Sequence, residues 1–237
     1  MAASSPAPTA RRAGLSRAQI VAKAQELSAT AGLEGWSMRD IAQALTVTPS
    51  VLYHYFRNKE DLSDSVVDAV VATVPLPDPA LEWKDWFTRL LLAARPALLT
   101  CPGVADRLMT GHLTARTIPL AEATAAQLQR AGFGPLAPLA GSLIFNSALA
   151  ALAAHHGRRR QWAHGHYATQ RTHLLALADQ SPAIAQLVTH FFPADQSPAA
   201  LAEASLDYYQ LLIAALLDGV EHVLLPLAAA APPAAGP

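Results

Sequence analysis

The chain has 237 residues, a formal net charge of −1, and hydrophobic side chains at 52% of its positions. This length allows one large domain or two small ones, with a core that needs neither disulfides nor metals. The single cysteine, Cys101, excludes an intrachain disulfide and a zinc site built on a cysteine pair, as is typical of a cytoplasmic protein.

Charge is distributed unevenly along the chain. Residues 1–60 contain seven Lys and Arg against four acidic residues, hence +3, whereas the remainder has 10 basic and 14 acidic residues, hence −4. This asymmetry favours a nucleic-acid-binding end attached to a mildly acidic body.

Residues 1–14 are small, contain proline and lack the apolar run of a signal peptide, so they are expected to form a flexible arm. Ser16 is then expected to cap a first helix that stops at Gly32. Ser37, with Asp40 three residues on, resembles a capping box at the start of a short second helix.

The stretch Thr46 to Lys59, TVTPSVLYHYFRNK, has the composition of a helix that lies against nucleic acid. Thr48 can cap this helix and Pro49 suits its first position. Its spacing gives an apolar side of Val51, Leu52, Tyr55 and Phe56 and leaves Ser50, Tyr53, His54 and Arg57 facing elsewhere. Two helices joined by so short a turn form a helix-turn-helix, whose second helix can enter a major groove.

The run SMRDIAQALTVTPSVLYHYFRNKEDL resembles the DNA-binding segment of the tetracycline-repressor (TetR) family, and the resemblance covers about residues 15–73. The matching positions are Arg39, Ile41, Ala42, Val47, Leu52, Tyr53, Phe56, Lys59 and Leu62. Thr46 departs from the pattern, since the family usually has Gly or another residue that tolerates the turn. A β-branched residue with positive φ would be strained, so we expect an adjusted turn.

The resemblance implies a set of DNA-binding residues. Arg39 is expected to meet a phosphate or a guanine edge, His54 a base or the backbone, and Lys59 a phosphate. Tyr55 either packs in the small core or lies against the sugar-phosphate edge. The full set is Arg39, Thr48, Pro49, Ser50, Tyr53, His54, Tyr55 and Lys59.

Beyond a proline-rich linker the pattern is helical throughout, so the sequence predicts an all-α fold. Helices are predicted over 80–100, 103–110, 119–131, 135–156, 165–178, 181–191 and 198–225. The predicted organisation is an arm (1–14), a helix-turn-helix domain of three helices (15–74), a helical effector-binding and dimerisation domain (75–225) and a disordered tail (226–237).

Residues 135–154 are uncharged and precede Arg158–Arg160, which could indicate a membrane span. Polar residues within the segment and the lack of a second candidate favour a buried helix and no membrane. This helix and the last one are more apolar than one body covers, and the resemblance implies a homodimer in which they form a four-helix bundle.

The resemblance also implies an effector cavity in the body. Its candidate residues are Trp86, Leu90, His112, Arg116, Gln127, Phe133 and Asn146. The histidines His155, His156, His164 and His166 lack nearby Cys or acidic partners and are expected in an exposed loop, so neither a metal nor a cofactor is predicted.

These features predict a cytoplasmic, non-enzymatic transcriptional regulator, and a repressor released from a palindromic operator by a small molecule. The alternatives are an activator, a regulator that takes no ligand, and an all-α enzyme that uses the histidines. The sequence contains no nucleophile–base pair or metal spacing in support of the enzyme.

Overall fold

The computed structural model describes residues 15–163, 166–191 and 197–230. Within these ranges eleven α-helices follow one another and no strand occurs, which confirms the all-α prediction. The helices are α1 (Arg17–Ala31), α2 (Met38–Ala44), α3 (Pro49–Tyr53), α4 (Lys59–Val71), α5 (Trp83–Thr100), α6 (Val104–Met109), α7 (Ile118–Arg130), α8 (Ala137–Ala163), α9 (His166–Ala178), α10 (Pro182–Phe191) and α11 (Pro198–Ala230).

The chain divides into two compact units, one ending at Val66 and the other beginning at Val67. The division therefore falls inside α4, whereas the sequence placed the boundary after Val74. Asp68, on the second half of α4, accepts a hydrogen bond from the Thr114 hydroxyl of the larger unit. The end of α4 is thus part of that unit.

Side chains cap three of the four helices of the first unit, and two of these caps, Ser16 and Ser37, were predicted from the sequence. Ser16 and Ser37 each form a complete capping box, with Gln19 and Asp40 as the partners. Ser37 donates to the Asp40 carboxylate and lowers the pKa of that group below its ordinary value of 3.8. Asn58 caps α4 by accepting the Asp61 N–H at 2.9 Å.

The core of the first unit is formed by side chains that are at most 1% exposed, among them Ile20, Leu33, Ile41, Leu52, Phe56 and Leu62. A buried polar relay lies beside them. Trp36 donates its indole N–H to the Ser28 hydroxyl at 2.7 Å, and Ser28 donates to the Ala24 carbonyl at 2.7 Å. The relay ties the loop after α1 to that helix.

In the second unit α8 packs against α6, α7 and α11. Aromatic rings of α5 and its neighbours meet edge to face, with centroids 5.2 Å apart for Trp83 and Phe133 and 5.1 Å apart for Trp86 and Phe87. Lys84 of α5 also pairs with Asp218 of α11 at 2.8 Å and with Glu221.

Two helices run further than predicted. α8 continues to Ala163, so His155 and His156 lie inside a helix and the predicted exposed loop is wrong there. His156 is 5% exposed, with Nε2 3.2 Å from the Leu99 carbonyl oxygen. α11 passes through Pro226 to Ala230, because the alanines after the proline favour helix. The predicted tail therefore starts too early. Residues 1–14, His164 and 231–237 lie outside the described residues.

Two segments, Gly134–Gly157 and Ala199–Ala230, are long and apolar enough to cross a membrane, with mean hydropathies of 1.7 and 1.8. The expectation that the first had no counterpart is therefore wrong. Length and composition alone carry little weight here, since a core helix of a soluble protein has the same properties.

Candidate nucleic-acid interface and ligand cavity

The turn between α2 and α3 depends on Thr46, whose φ of 56° is the one positive φ of a non-glycine residue in the described ranges. The Thr46 N–H donates to the Gln43 carbonyl at 3.0 Å, and the Val47 N–H donates to the Ala42 carbonyl at 2.9 Å. The turn thus keeps the left-handed geometry and is not adjusted as expected. The strain falls on Thr46 instead.

α3 has two distinct faces. Leu52 of this helix and Phe56 just beyond it are at most 1% exposed and anchor it to the first unit. Ser50, Tyr53 and His54 are exposed, with Tyr53 at 54%. These three predicted DNA-binding residues therefore form one polar surface.

The start of α3 differs from the prediction in one respect. Pro49 occupies the first turn as expected, but the Thr48 side chain makes no cap hydrogen bond. Its hydroxyl lies 2.8 Å from the Ser50 hydroxyl instead. Because the two exposed hydroxyls pair with each other, the Thr48 side chain does not accept a hydrogen bond from an N–H group in the first turn of α3.

Tyr55 is tied into the first unit. Its hydroxyl donates to the Leu15 carbonyl, and its own carbonyl accepts from Arg17 Nη1 at 2.6 Å. The side chain is half-buried. Of the two alternatives for Tyr55, the structure favours packing.

The basic side chains differ in how free they are. Arg39 is exposed near the start of α2, and Arg57 is 92% exposed, with Nε 3.8 Å from Asp61. Lys59 is engaged, because its Nζ lies 2.9 Å from the Glu34 carboxylate and 5.2 Å from the Trp36 ring centroid. Arg57 was not in the predicted DNA-binding set, although the sequence had already placed it away from the apolar side of this helix.

Asp61 fixes the turn after α3. The Arg57 N–H donates to its carboxylate at 3.0 Å and, with Arg17, lowers the pKa of Asp61 below its ordinary value of 3.8. Arg17 Nη2 lies 3.3 Å from Asp61 and donates to Ser65 at 3.0 Å. Arg17 therefore holds α1 to α4.

The second unit contains a cavity of about 720 Å³ lined by α4, α5, α6, α7, α8 and α11. Most lining side chains are aliphatic, including Leu90, Leu91, Leu98, Leu120, Leu128 and Leu149. This volume is typical of sites for drug-sized molecules.

Three of the seven predicted ligand-binding residues line this cavity: Leu90, Arg116 and Asn146. The other four do not. Trp86 and Phe133 belong to the buried aromatic cluster of α5, at 1% and 0% exposure, so their size serves the core.

The remaining two are used by local hydrogen bonds. Gln127 is 2% exposed and donates to the Pro79 carbonyl at 3.1 Å, while His112 is exposed, with Nδ1 3.1 Å from the Thr110 hydroxyl. Sequence reasoning missed Tyr209, which lines the cavity from α11. It had assigned Tyr209 to an apolar band, and burial on a helix face carries no signal for a cavity.

Comparison with known proteins gives the same picture. The profile of bacterial regulatory proteins of the tetR family matches residues 20–66. An HTH-type transcriptional regulator of Saccharopolyspora erythraea is 31% identical over 184 residues, covering 76% of each chain. Tetracycline repressor protein class E of Escherichia coli is 34% identical over 120 residues, which are 49% of this chain and 56% of that one.

Solved structures are also similar. Streptomyces coelicolor ActR in complex with actinorhodin has a TM-score of 0.65 at 25% identity, covering 87% of this chain and 97% of that one. BioQ with its double-stranded DNA operator has a TM-score of 0.51 at 26% identity, covering 64% and 93%.

A helix-turn-helix unit joined to an all-helical body defines a DNA-binding transcriptional regulator. The chain belongs to the TetR family of bacterial regulatory proteins. Regulators of this family are non-enzymatic transcription factors.

Proposed function

We propose that this regulator is a homodimeric repressor that binds a palindromic operator through α3 and leaves it when a small apolar effector occupies the cavity. The observation that carries the proposal is the 720 Å³ cavity, because contact with DNA alone requires no such space in the body. The structurally similar ActR is described with actinorhodin and BioQ with its operator, in line with both halves of the proposal.

In this proposal the exposed face of α3 reads the operator. Ser50, Tyr53 and His54 lie close enough together to approach neighbouring bases and phosphates. Thr48 and Pro49 approach the DNA at the start of α3, while Arg39, Arg57 and Lys59 contact phosphates. Tyr55 acts by positioning, through its hydrogen bonds to Leu15 and Arg17.

Dimerisation is inferred from apolar side chains that a lone subunit leaves exposed. α8 exposes Leu139 and Leu143 at 48% and 42%, and α11 exposes Leu211, Val223 and Leu227 at 68%, 59% and 55%. A second copy covers such faces in a two-fold dimer, which suits a palindromic site. We therefore assign these helices to a subunit interface of a cytoplasmic protein and not to a membrane.

The link from cavity to DNA runs through α4 in this proposal. α4 continues from Lys59 of the first unit to Val71, which lines the cavity. Thr114 donates to Asp68 of α4, and Arg116 and Thr117, close behind it in the chain, are also cavity walls. An effector that binds better when this segment shifts would move α4 and lower operator affinity by linkage.

The DNA-binding half is tested by two substitutions with different consequences. His54→Ala should change the preferred operator sequence, whereas Lys59→Ala should weaken binding to all sequences similarly and lower the salt slope by about one. Lys23→Ala, which removes a cation from α1, is the matched charge control. Fluorescence anisotropy on operator and random duplexes, at several salt concentrations, measures both. Equal losses from both variants on both duplexes would refute the assignment of roles.

The dimer is tested by light scattering. Leu143→Arg and Leu211→Arg each place a charge on the proposed interface and should yield monomers with weakened operator binding. Glu203→Arg, on the exposed start of α11, is the control and should leave the dimer intact. A dimer that survives both leucine substitutions would contradict the assignment of α8 and α11 to the interface.

A further inference from the structure

The cavity has an uneven distribution of charge. Among the described residues that line it, Arg116 is the one charged side chain, and neither Asp nor Glu is present. A buried cation without a counter-charge is strongly disfavoured, whereas an anion beside Arg116 is compensated. The walls therefore discriminate by the sign of the ligand's charge.

Arg116 is available for such a role. It lies in the one-turn 3-10 helix Ala115–Thr117 and is exposed, at the side of the cavity that meets solvent. Its backbone N–H is held by the Thr114 hydroxyl at 3.2 Å. In the part of the chain that the structure describes, no carboxylate lies within ion-pairing distance of its guanidinium.

A second polar group lies deep in the same cavity. Tyr209 is 2% exposed, and no described residue forms a hydrogen bond with its hydroxyl. A phenol hydroxyl on a cavity wall that has no protein partner can donate a hydrogen bond to a ligand. Burial raises the pKa of Tyr209 to about 12, opposed by the nearby Arg95, so near neutral pH the group is a phenol that donates.

The surroundings of Tyr209 hold its ring in place. The Arg95 guanidinium carbon lies 5.8 Å from the ring centroid, and Arg95 Nη2 donates to Ser205 at 2.9 Å. Ser205 Oγ lies 2.9 Å from His155 Nδ1. These hydrogen bonds fix the Arg95 guanidinium beside the Tyr209 ring and leave the Tyr209 hydroxyl as the polar group on the cavity wall.

We infer that the effector is an anionic, largely apolar molecule whose acidic group pairs with Arg116 at the mouth and whose oxygen acceptor accepts a hydrogen bond from the Tyr209 hydroxyl at depth. A volume of about 720 Å³ is in the range of sites for drug-sized molecules. The inference rests on the proposed function, since it names the ligand class of the same cavity.

Matched probes separate the two contacts. Fluorenone-2-carboxylate carries both an acid and a ketone, fluorene-2-carboxylate carries the acid alone, and fluorenone carries the ketone alone. Binding to the full chain is measured by isothermal titration calorimetry. A fluorenylmethylammonium ion serves as the cationic counterpart and should bind at least tenfold more weakly than the carboxylates.

The expected pattern is specific to each residue. Arg116→Gln should weaken the binding of both carboxylates about tenfold, because each loses one charge-assisted hydrogen bond. It should change the affinity for fluorenone by less than about twofold. Tyr209→Phe should weaken the two ketones about fivefold and spare fluorene-2-carboxylate. Arg89→Gln removes an exposed cation of α5 outside the cavity and should change none. Ala94→Phe, which fills part of the cavity, should weaken all three.

Two outcomes overturn the inference: equal binding of the cation and the carboxylates, or equal effects of Arg116→Gln on carboxylates and ketone. Absence of binding by every probe would also overturn it. Operator affinity measured with the same probes tests the proposed function separately. Probes that bind in the expected order yet leave operator affinity unchanged would support the ligand class and refute release by an effector.

Discussion

The strained turn at Thr46 predicts how the substitution Thr46→Gly changes the stability of the first unit. An L-residue in the left-handed region costs about 1–2 kcal/mol, and a β-branched side chain is among the least tolerant. Thr46→Gly removes this cost, since glycine adopts a φ of 56° without a clash. The greater freedom of glycine in the unfolded chain takes back about 0.5–1 kcal/mol. The net expectation is a gain of about 0.5–1 kcal/mol in the free energy of unfolding.

Nothing else at this position opposes the substitution. Thr46 is exposed, and none of its described neighbours forms a hydrogen bond with its hydroxyl. Its N–H bond to Gln43, which glycine retains, holds the turn. The removed atoms therefore contribute strain and almost no packing.

Urea unfolding of the full chain, with hydrogen exchange of first-unit amides such as that of Val47, measures the change where it occurs. Thr46→Ala is the control, because alanine keeps the Cβ that causes the strain and should stay within about 0.5 kcal/mol of the original chain. A glycine variant no more stable than the alanine variant would show that the turn does not store the energy argued here.

Hydrogen bonds and charges of named residues give three further predictions. Trp36→Phe removes the bond to Ser28 and should lower the free energy of unfolding by about 1–2 kcal/mol in urea titrations, while Trp36→Tyr, which cannot reach as far, should give no full rescue. Burial raises the pKa of Tyr209 to about 12, so its contribution to the free energy of unfolding is complete below pH 10 and is lost as pH rises to 12. Relative to Tyr209→Phe, the original chain should lose about 2–3 kcal/mol of the free energy of unfolding across that window. Parallel plots of this free energy against pH for the two chains would contradict the prediction. Glu34→Gln releases Lys59 from its pair and should raise affinity for random DNA severalfold at low salt, and unchanged affinity would show that the pair does not compete with phosphate.

The first unit could be predicted closely from sequence because its signals are local. Ser16, Ser37 and Asn58 each accept a hydrogen bond from the N–H group three residues further on, so these caps can be predicted from the local sequence. The buried and exposed sides of α3 agree with helical spacing. One exception was Thr48, which was expected to cap α3 and does not. The other was the turn at Thr46, since nothing local indicates whether a chain will bend its backbone or bear the strain.

The second unit shows where local signals end. Trp86 and Phe133 are aromatic and apolar like cavity walls, yet they fill the core, while Tyr209 on a plain apolar helix lines the cavity. Which apolar residue faces a gap depends on how six helices cross, and periodicity reports only that a residue faces inward.

The positive charge counted for residues 1–60 nearly disappears when the whole first unit is counted. The count of +3 stops at residue 60, and inclusion of Asp61 and Asp64 up to Val66 leaves seven basic against six acidic residues. Several of those acids serve the fold, since Asp40 caps α2 and Asp61 binds Arg17 and the Arg57 N–H. We therefore expect the net charge of the first unit to contribute little to DNA binding. In the proposed function, affinity depends instead on which cations are exposed, and specificity depends on the short polar face of α3 that Leu52 and Phe56 hold in place.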